Sequence, residues 1–182
     1  MRIGDRDGGA TGETGAQPEW RSGFIDLGRN TTVSFELKPH TADVGVEATG
    51  ETPGALFASI ADGLAAAMCE EIPETGGDRF DIELEAESLE GLLYDYLDQL
   101  IYERDANDVL PVDNHAIVSG TRTDDSIDDE GFSDDEVFSI DANYRAVPLS
   151  EVVAREIKAV TYSEMTVERR DGGWYGYVVF DV

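Results

Sequence analysis

Cysteine is almost missing from this chain: Cys69 is the only one, which excludes an internal disulfide framework and a cysteine-based zinc site. Lysine is nearly as scarce, occurring at Lys38 and Lys158 alone, against 11 arginines. No apolar run approaches the roughly 18 residues that a membrane-spanning helix needs. The N-terminus has no series of charged, apolar and small residues of the kind that marks a signal peptide. Together these absences predict a soluble protein of the cytoplasm. A phosphate-binding glycine loop, a nucleophile elbow, an HExxH zinc motif and a CxxC pair are missing as well, so the better-defined enzyme signatures fail.

What the chain has in excess is negative charge. Forty Asp and Glu face 13 Lys and Arg, for a formal net charge of -27 at pH 7. Phosphate contacts depend on a basic surface, so this balance argues against direct nucleic-acid binding. An acidic, lysine-poor surface suits molar salt, where the Debye length shrinks to roughly 3 Å and self-repulsion is screened. A halophilic source is the expectation.

The 182 residues suffice for one core with an appendage. Residues 1–32 hold seven glycines, four basic and five acidic groups, and few apolar side chains beyond Trp20, Phe24, Ile25 and Leu27. They read as a flexible tail. Residues 33–182 keep nine basic and 35 acidic groups, so the acidity belongs to the domain. Alternation of Val33, Phe35 and Leu37 with polar neighbours predicts a strand, interrupted by Pro39 and resumed by Val44, Val46 and Ala48. Thr52 with Pro53 caps a helix that buries one face through Leu56, Phe57, Ile60, Leu64 and Met68. A strand follows from Phe80 to Ala86. Ser88 then opens a second helix with the stripe Leu89, Leu92, Leu93, Tyr96, Leu97 and Leu100.

Beyond it, residues 109–121 and 136–147 predict strands, separated by a solvated loop at 124–136 in which eight of 13 residues are acidic. Its Asp spacing and Gly131 do not fit a regular calcium-binding loop. Residues 155–162, 165–170 and 174–181 read as three further strands, the last two joined at Asp171-Gly172 by a tight hairpin. Two helices among about eight strands, mostly in hairpin connections, predict an α+β fold: a largely antiparallel sheet with both helices packed on one face.

Only two histidines are present, His40 and His115. The apolar neighbours of His115 mark it as an ordinary strand or loop residue. The segment His40-Thr41-Ala42-Asp43 is a compact polar insertion between two strand halves, where His and Asp either cap backbone groups or form a site. The chain closes with Asp181-Val182, which places a side-chain carboxylate and the expected α-carboxylate one residue apart. If the last strand lies beside Asp43, three carboxylates converge. They would repel one another unless a hard cation, Ca²⁺ or Mg²⁺, sat between them.

These residues resemble the archease family. The resemblance covers about residues 33–182 and rests on the stretch around HTADVGVEA at 40–48, the first helix, SLEGLLYDYLDQLIYERD at 88–105, REIKAVTY at 155–162 and the closing strand from Trp174. It implies an accessory protein, not an enzyme, that partners an RtcB-type tRNA-splicing ligase. Such a protein promotes guanylylation of that ligase at its active-site histidine, supports multiple turnover and broadens its nucleotide use. The family's metal ligands fall on Asp43, Asp181 and Val182, with calcium as the ion and Mg²⁺ or another hard divalent cation as the alternative. Lys158, in the family stretch EIKAVTY, is implied as a functional contact, and His40 as a group that orients Asp43. Where many relatives carry His after the Tyr of that stretch, this chain has Ser163, so no role of that histidine carries over. Two readings compete: a small metal-dependent phosphoester hydrolase using Asp43 and Asp181, and a general chaperone or calcium-binding module. No base with evident geometry accompanies the aspartates in the first.

Overall fold

A computed structural model describes residues 34–39, 43–122, 136–170 and 172–182. The tail at 1–32, Val33, His40 and most of the acidic loop at 124–136 lie outside them. In chain order the elements are β1 (Ser34–Pro39), β2 (Asp43–Gly50), α1 (Pro53–Met68), β3 (Asp78–Ala86), α2 (Leu89–Asn107), β4 (Val109–Arg122), β5 (Glu136–Pro148), β6 (Ala159–Arg170) and β7 (Gly173–Asp181). A 3-10 turn at Leu149–Glu151 follows β5.

The expected antiparallel α+β architecture is present, and its strands divide between two sheets. One has the order β1-β2-β7-β6 and the other β3-β5-β4, with every pairing antiparallel. Alternation reports which residues face inward but not which strands pair, so the division could not be read from periodicity. Both helices lie between the sheets. α1 packs on β2 and β4, and α2 on β6, β3 and β4. This placement corrects the expectation of a single buried face on α1, because 12 of its 16 residues are buried.

Both predicted helix starts are made by side chains. The Thr52 hydroxyl accepts a hydrogen bond from Ala55 N at 3.1 Å, and the Ser88 hydroxyl accepts one from Gly91 N at 3.0 Å. Each satisfies an N–H that the helix itself leaves unpaired. Thr52→Ala is expected to lower the unfolding free energy by about 1 kcal/mol, measured by denaturant titration in molar KCl.

Close approach of α1 to the four-stranded sheet depends on Gly176. A Cβ there would stand 2.8 Å from Ile60 Cδ1 and 3.3 Å from Leu56 Cδ1. Val46, Val178 and Phe180 fill the same interface and are fully enclosed. The β6–β7 hairpin has the predicted turn: Arg170 pairs with Gly173, and Gly172 has φ +89°, the left-handed region that glycine enters without steric cost. The two strands expected at 155–162 and 165–170 are one, β6, with its register broken between Thr161 and Thr166. Residues 155–158 are not in a strand. Arg155 N instead donates to Met68 O at 2.8 Å, and Lys158 N to Asp181 O at 2.9 Å. No helix among the described residues is long and apolar enough to cross a membrane.

Candidate metal centre

β2 begins at Asp43 and β7 ends at Asp181, and the antiparallel register sets these two residues directly opposite each other. The next pair inward, Val44 with Phe180, turns Phe180 into the core at 0 % exposure. Strand side chains alternate, so the Asp43–Asp181 pair projects from the opposite face, with Cβ atoms about 4.5–5.5 Å apart. Asp43 is half-buried and Asp181 exposed. Two like charges so placed repel, which costs stability unless positive charge stands nearby.

Positive charge arrives from the residue before β6. Lys158 Nζ donates to the main-chain oxygen of Val182 at 3.0 Å, while its backbone N–H holds Asp181 O. The Val182 side chain packs against the core, which fixes the end of the strand beneath the aspartate pair. Of the five residues singled out in the sequence, the fold therefore gathers Asp43, Asp181, Val182 and Lys158 at one sheet end. His40 lies outside the described residues.

All donors at this end are oxygens, the ligand type that hard divalent cations take and that zinc or copper use less readily. Among the described residues no three His, Cys, Asp or Glu side chains form a metal-sized group. A cation here would draw on the two aspartates together with the main-chain oxygen of Val182. The residues fit a hard, oxygen-seeking ion on the chemistry of that donor set.

A second polar cluster was not singled out in the sequence. Asp62 of α1 accepts hydrogen bonds from Asn114 N at 3.0 Å and Asn114 Nδ2 at 2.8 Å. The Tyr96 hydroxyl of α2 donates to Asn114 Oδ1 at 3.2 Å. These bonds hold the irregularity of β4, where register shifts between Val112 and His115 and Asp113 has φ +52°. Burial is the main cause that pushes the Asp62 carboxyl up to about 6. The Asn114 bonds oppose it, Asp113 adds to it and His115 lowers it. Burial, and secondarily the Asp62 charge, also raise the Tyr96 hydroxyl, which stays protonated as a donor. His115 behaves as the ordinary residue expected: it is exposed, with Nδ1 3.1 Å from Asp113 O and 3.3 Å from Arg79 Nη1. Arg79 in turn forms an ion pair with Asp113. An Asp inside an apolar helix was the available signal for this cluster, but its partner sits 52 residues away.

The architecture is that of a small antiparallel α+β protein with an acidic pair where two adjacent strands meet end to start. Residues 35–182 match the model of the archease protein family, and the chain belongs to that family. Among its relatives, a protein archease of Methanosarcina mazei is 27% identical over 148 residues, covering 81% of this chain and 95% of that protein. A protein archease of Pyrococcus furiosus is 30% identical over 158 residues, covering 81% and 98%. The fold is similar to the solution structure of a Methanobacterium thermoautotrophicum protein, with TM-score 0.62 and 23% identity over 81% of this chain and 98% of that one. It is also similar to the crystal structure of a Thermotoga maritima archease described as a possible chaperone, with TM-score 0.50 and 19% identity over 80% and 96%.

Proposed function

We propose that this archease is a non-enzymatic activator of an RtcB-type RNA ligase in tRNA splicing, working in the cytoplasm and presenting a calcium-holding carboxylate tip to that ligase. The observation that carries the reading is the Asp43–Asp181 pairing at the sheet end, with Lys158 and the Val182 oxygen beside it. Asp43, Asp181 and the main-chain oxygen of Val182 would hold the ion, with His40 orienting Asp43. Bound there, Ca²⁺ supplies hard positive charge of the kind that nucleotide phosphates and a partner's carboxylates attract. Lys158 fixes the last strand so that the donors keep their spacing. Phosphoryl-type transfer depends on positioning and charge neutralisation, so a tip of this kind assists without supplying a nucleophile. The net charge of -27 repels RNA phosphates, which supports a role beside the RNA chemistry without direct RNA contact.

To test it, ligase and GTP are mixed with the protein and the covalent guanylate is followed over time. The unmodified protein is expected to raise the yield and the turnover number. Asp43→Ala and Asp181→Ala are each expected to reduce both to the level of ligase alone. Full activity of either variant would end the metal-tip mechanism. The chaperone reading has its support in the description of the Thermotoga maritima relative, and predicts many unrelated clients in a pull-down in place of one ligase.

A further inference from the structure

Helix α1 ends without the usual local devices. Its C-cap, Cys69, is extended at φ -141°, so no left-handed residue turns the chain back, and its last turn has no basic side chain. Cys69 N takes Ala65 O at 3.0 Å, and the carbonyls that follow have no partners inside the helix. Donors for two of them come from a residue far along the chain. Arg155 N donates to Met68 O at 2.8 Å, and Arg155 Nε donates to Ala67 O. The guanidinium also meets the negative end of the helix dipole. Arg155 thus caps α1 from outside.

The capping residue opens a strap. Residues 155–158 lie in no strand and run from the end of α1 to the carboxylate pair. Arg155 is clamped at one end; at the other, Lys158 N donates to Asp181 O at 2.9 Å and Lys158 Nζ to Val182 O at 3.0 Å. Between them Ile157 is fully enclosed and Glu156 is exposed. Burial of Ile157 draws the strap onto the core, but that force has no direction. Hydrogen bonds set where Lys158 stands. Arg104 of α2 approaches the strap from the other side, with Nη2 3.5 Å from Arg155 O, at the limit of a hydrogen bond, while its Nη1 pairs with Asp105. It adds little hold, so the clamp rests on Arg155.

We propose that Arg155 is a positioning residue of the carboxylate tip: by capping α1 it clamps the strap that delivers Lys158 to Asp181 and Val182, and so governs how tightly the tip holds a cation it never touches. The bearing on calcium rests on the function proposed above; the clamp on Lys158 does not.

The test uses the full chain in molar KCl, labelled with [15N]lysine. The sequence has two lysines, Lys38 and Lys158, so two backbone amide signals are expected, told apart by Lys38→Arg. In Arg155→Met, hydrogen exchange of the Lys158 amide is expected to quicken roughly tenfold or more while the far-UV circular dichroism stays that of the folded protein. Thr52→Ala weakens the opposite end of α1 and should leave that exchange nearly unchanged, which separates a clamp from general loss of stability. Calorimetric titration with calcium is then expected to show affinity about tenfold lower in Arg155→Met and unaltered in Thr52→Ala, a loss typical of groups that orient metal ligands from behind. Lys158 exchange unchanged in Arg155→Met, or quickened equally by Thr52→Ala, would overturn the clamp. Release of Lys158 with calcium affinity intact would overturn the positioning role. An unmodified protein that binds no calcium would overturn the metal tip, while the exchange comparison still decides the clamp. Should Arg155→Met fail to fold, Arg155→Gln, which keeps an N–H donor but loses the charge, carries the same comparison with a several-fold change expected.

Discussion

Asp62→Asn is expected to make the protein more stable at neutral pH, by about 3 kcal/mol, and to flatten its stability between pH 4 and 7. The folded carboxyl is pushed up to about 6 from an ordinary value of 3.8, and each unit corresponds to about 1.36 kcal/mol. The folded state therefore binds this proton more tightly than the unfolded state does. That contribution is fully present below the unfolded value, fades as pH rises through the window, and is gone above the folded value. At pH 7 the wild-type protein keeps a charge in a half-buried position beside Asp113, relieved by the two Asn114 bonds and by His115. Asparagine leaves an oxygen to accept from Asn114 and removes the charge. Denaturant titrations of both proteins from pH 4 to 8 give a difference that isolates this group from the many other carboxylates. It should be near zero at pH 4 and largest above pH 7. A difference independent of pH would mean that Asp62 titrates normally.

The same residue shows where sequence reading stops. Strands and helices were legible because each carries its own period: Phe80, Ile82, Leu84 and Ala86 alternate, and Leu93, Leu97 and Leu100 recur on one helical face. Caps at Thr52 and Ser88 and the glycine of the last hairpin were legible because their chemistry is local. The candidate site was half legible. Two carboxylates at strand ends can be named from sequence, but whether they meet depends on β7 entering the sheet beside β2, a long-range pairing that no local signal encodes. The division into two sheets was hidden for the same reason. Asp62 was missed because a single polar residue on an apolar helix reads as a surface position until a second sheet is known to cover that side.

Calcium is expected to raise the thermal midpoint, and Asp43→Asn to abolish that rise without lowering the midpoint of the metal-free protein. With chelator present, Asp43 and Asp181 face each other across one strand pair and repel by on the order of 1 to 3 kcal/mol, for an effective dielectric between that of water and 20. Lys158 offsets part of this through its contact with the Val182 oxygen. An ion that binds only the folded state adds about 2.7 kcal/mol at a hundredfold excess over its dissociation constant. For a chain of this length that is a rise of roughly 5 to 10 °C. Asn at position 43 keeps the shape but removes the charge, so it relieves the repulsion and weakens the donor set together. The chelated variant should therefore melt at or above the chelated wild type and respond little to calcium. Glu83→Gln, an exposed acid on the other sheet, should keep the full response. The comparison belongs in molar KCl, where general screening of the acidic surface is saturated and what remains is specific. An equal calcium shift in Asp43→Asn and wild type would place the ion elsewhere than at the strand-end pair.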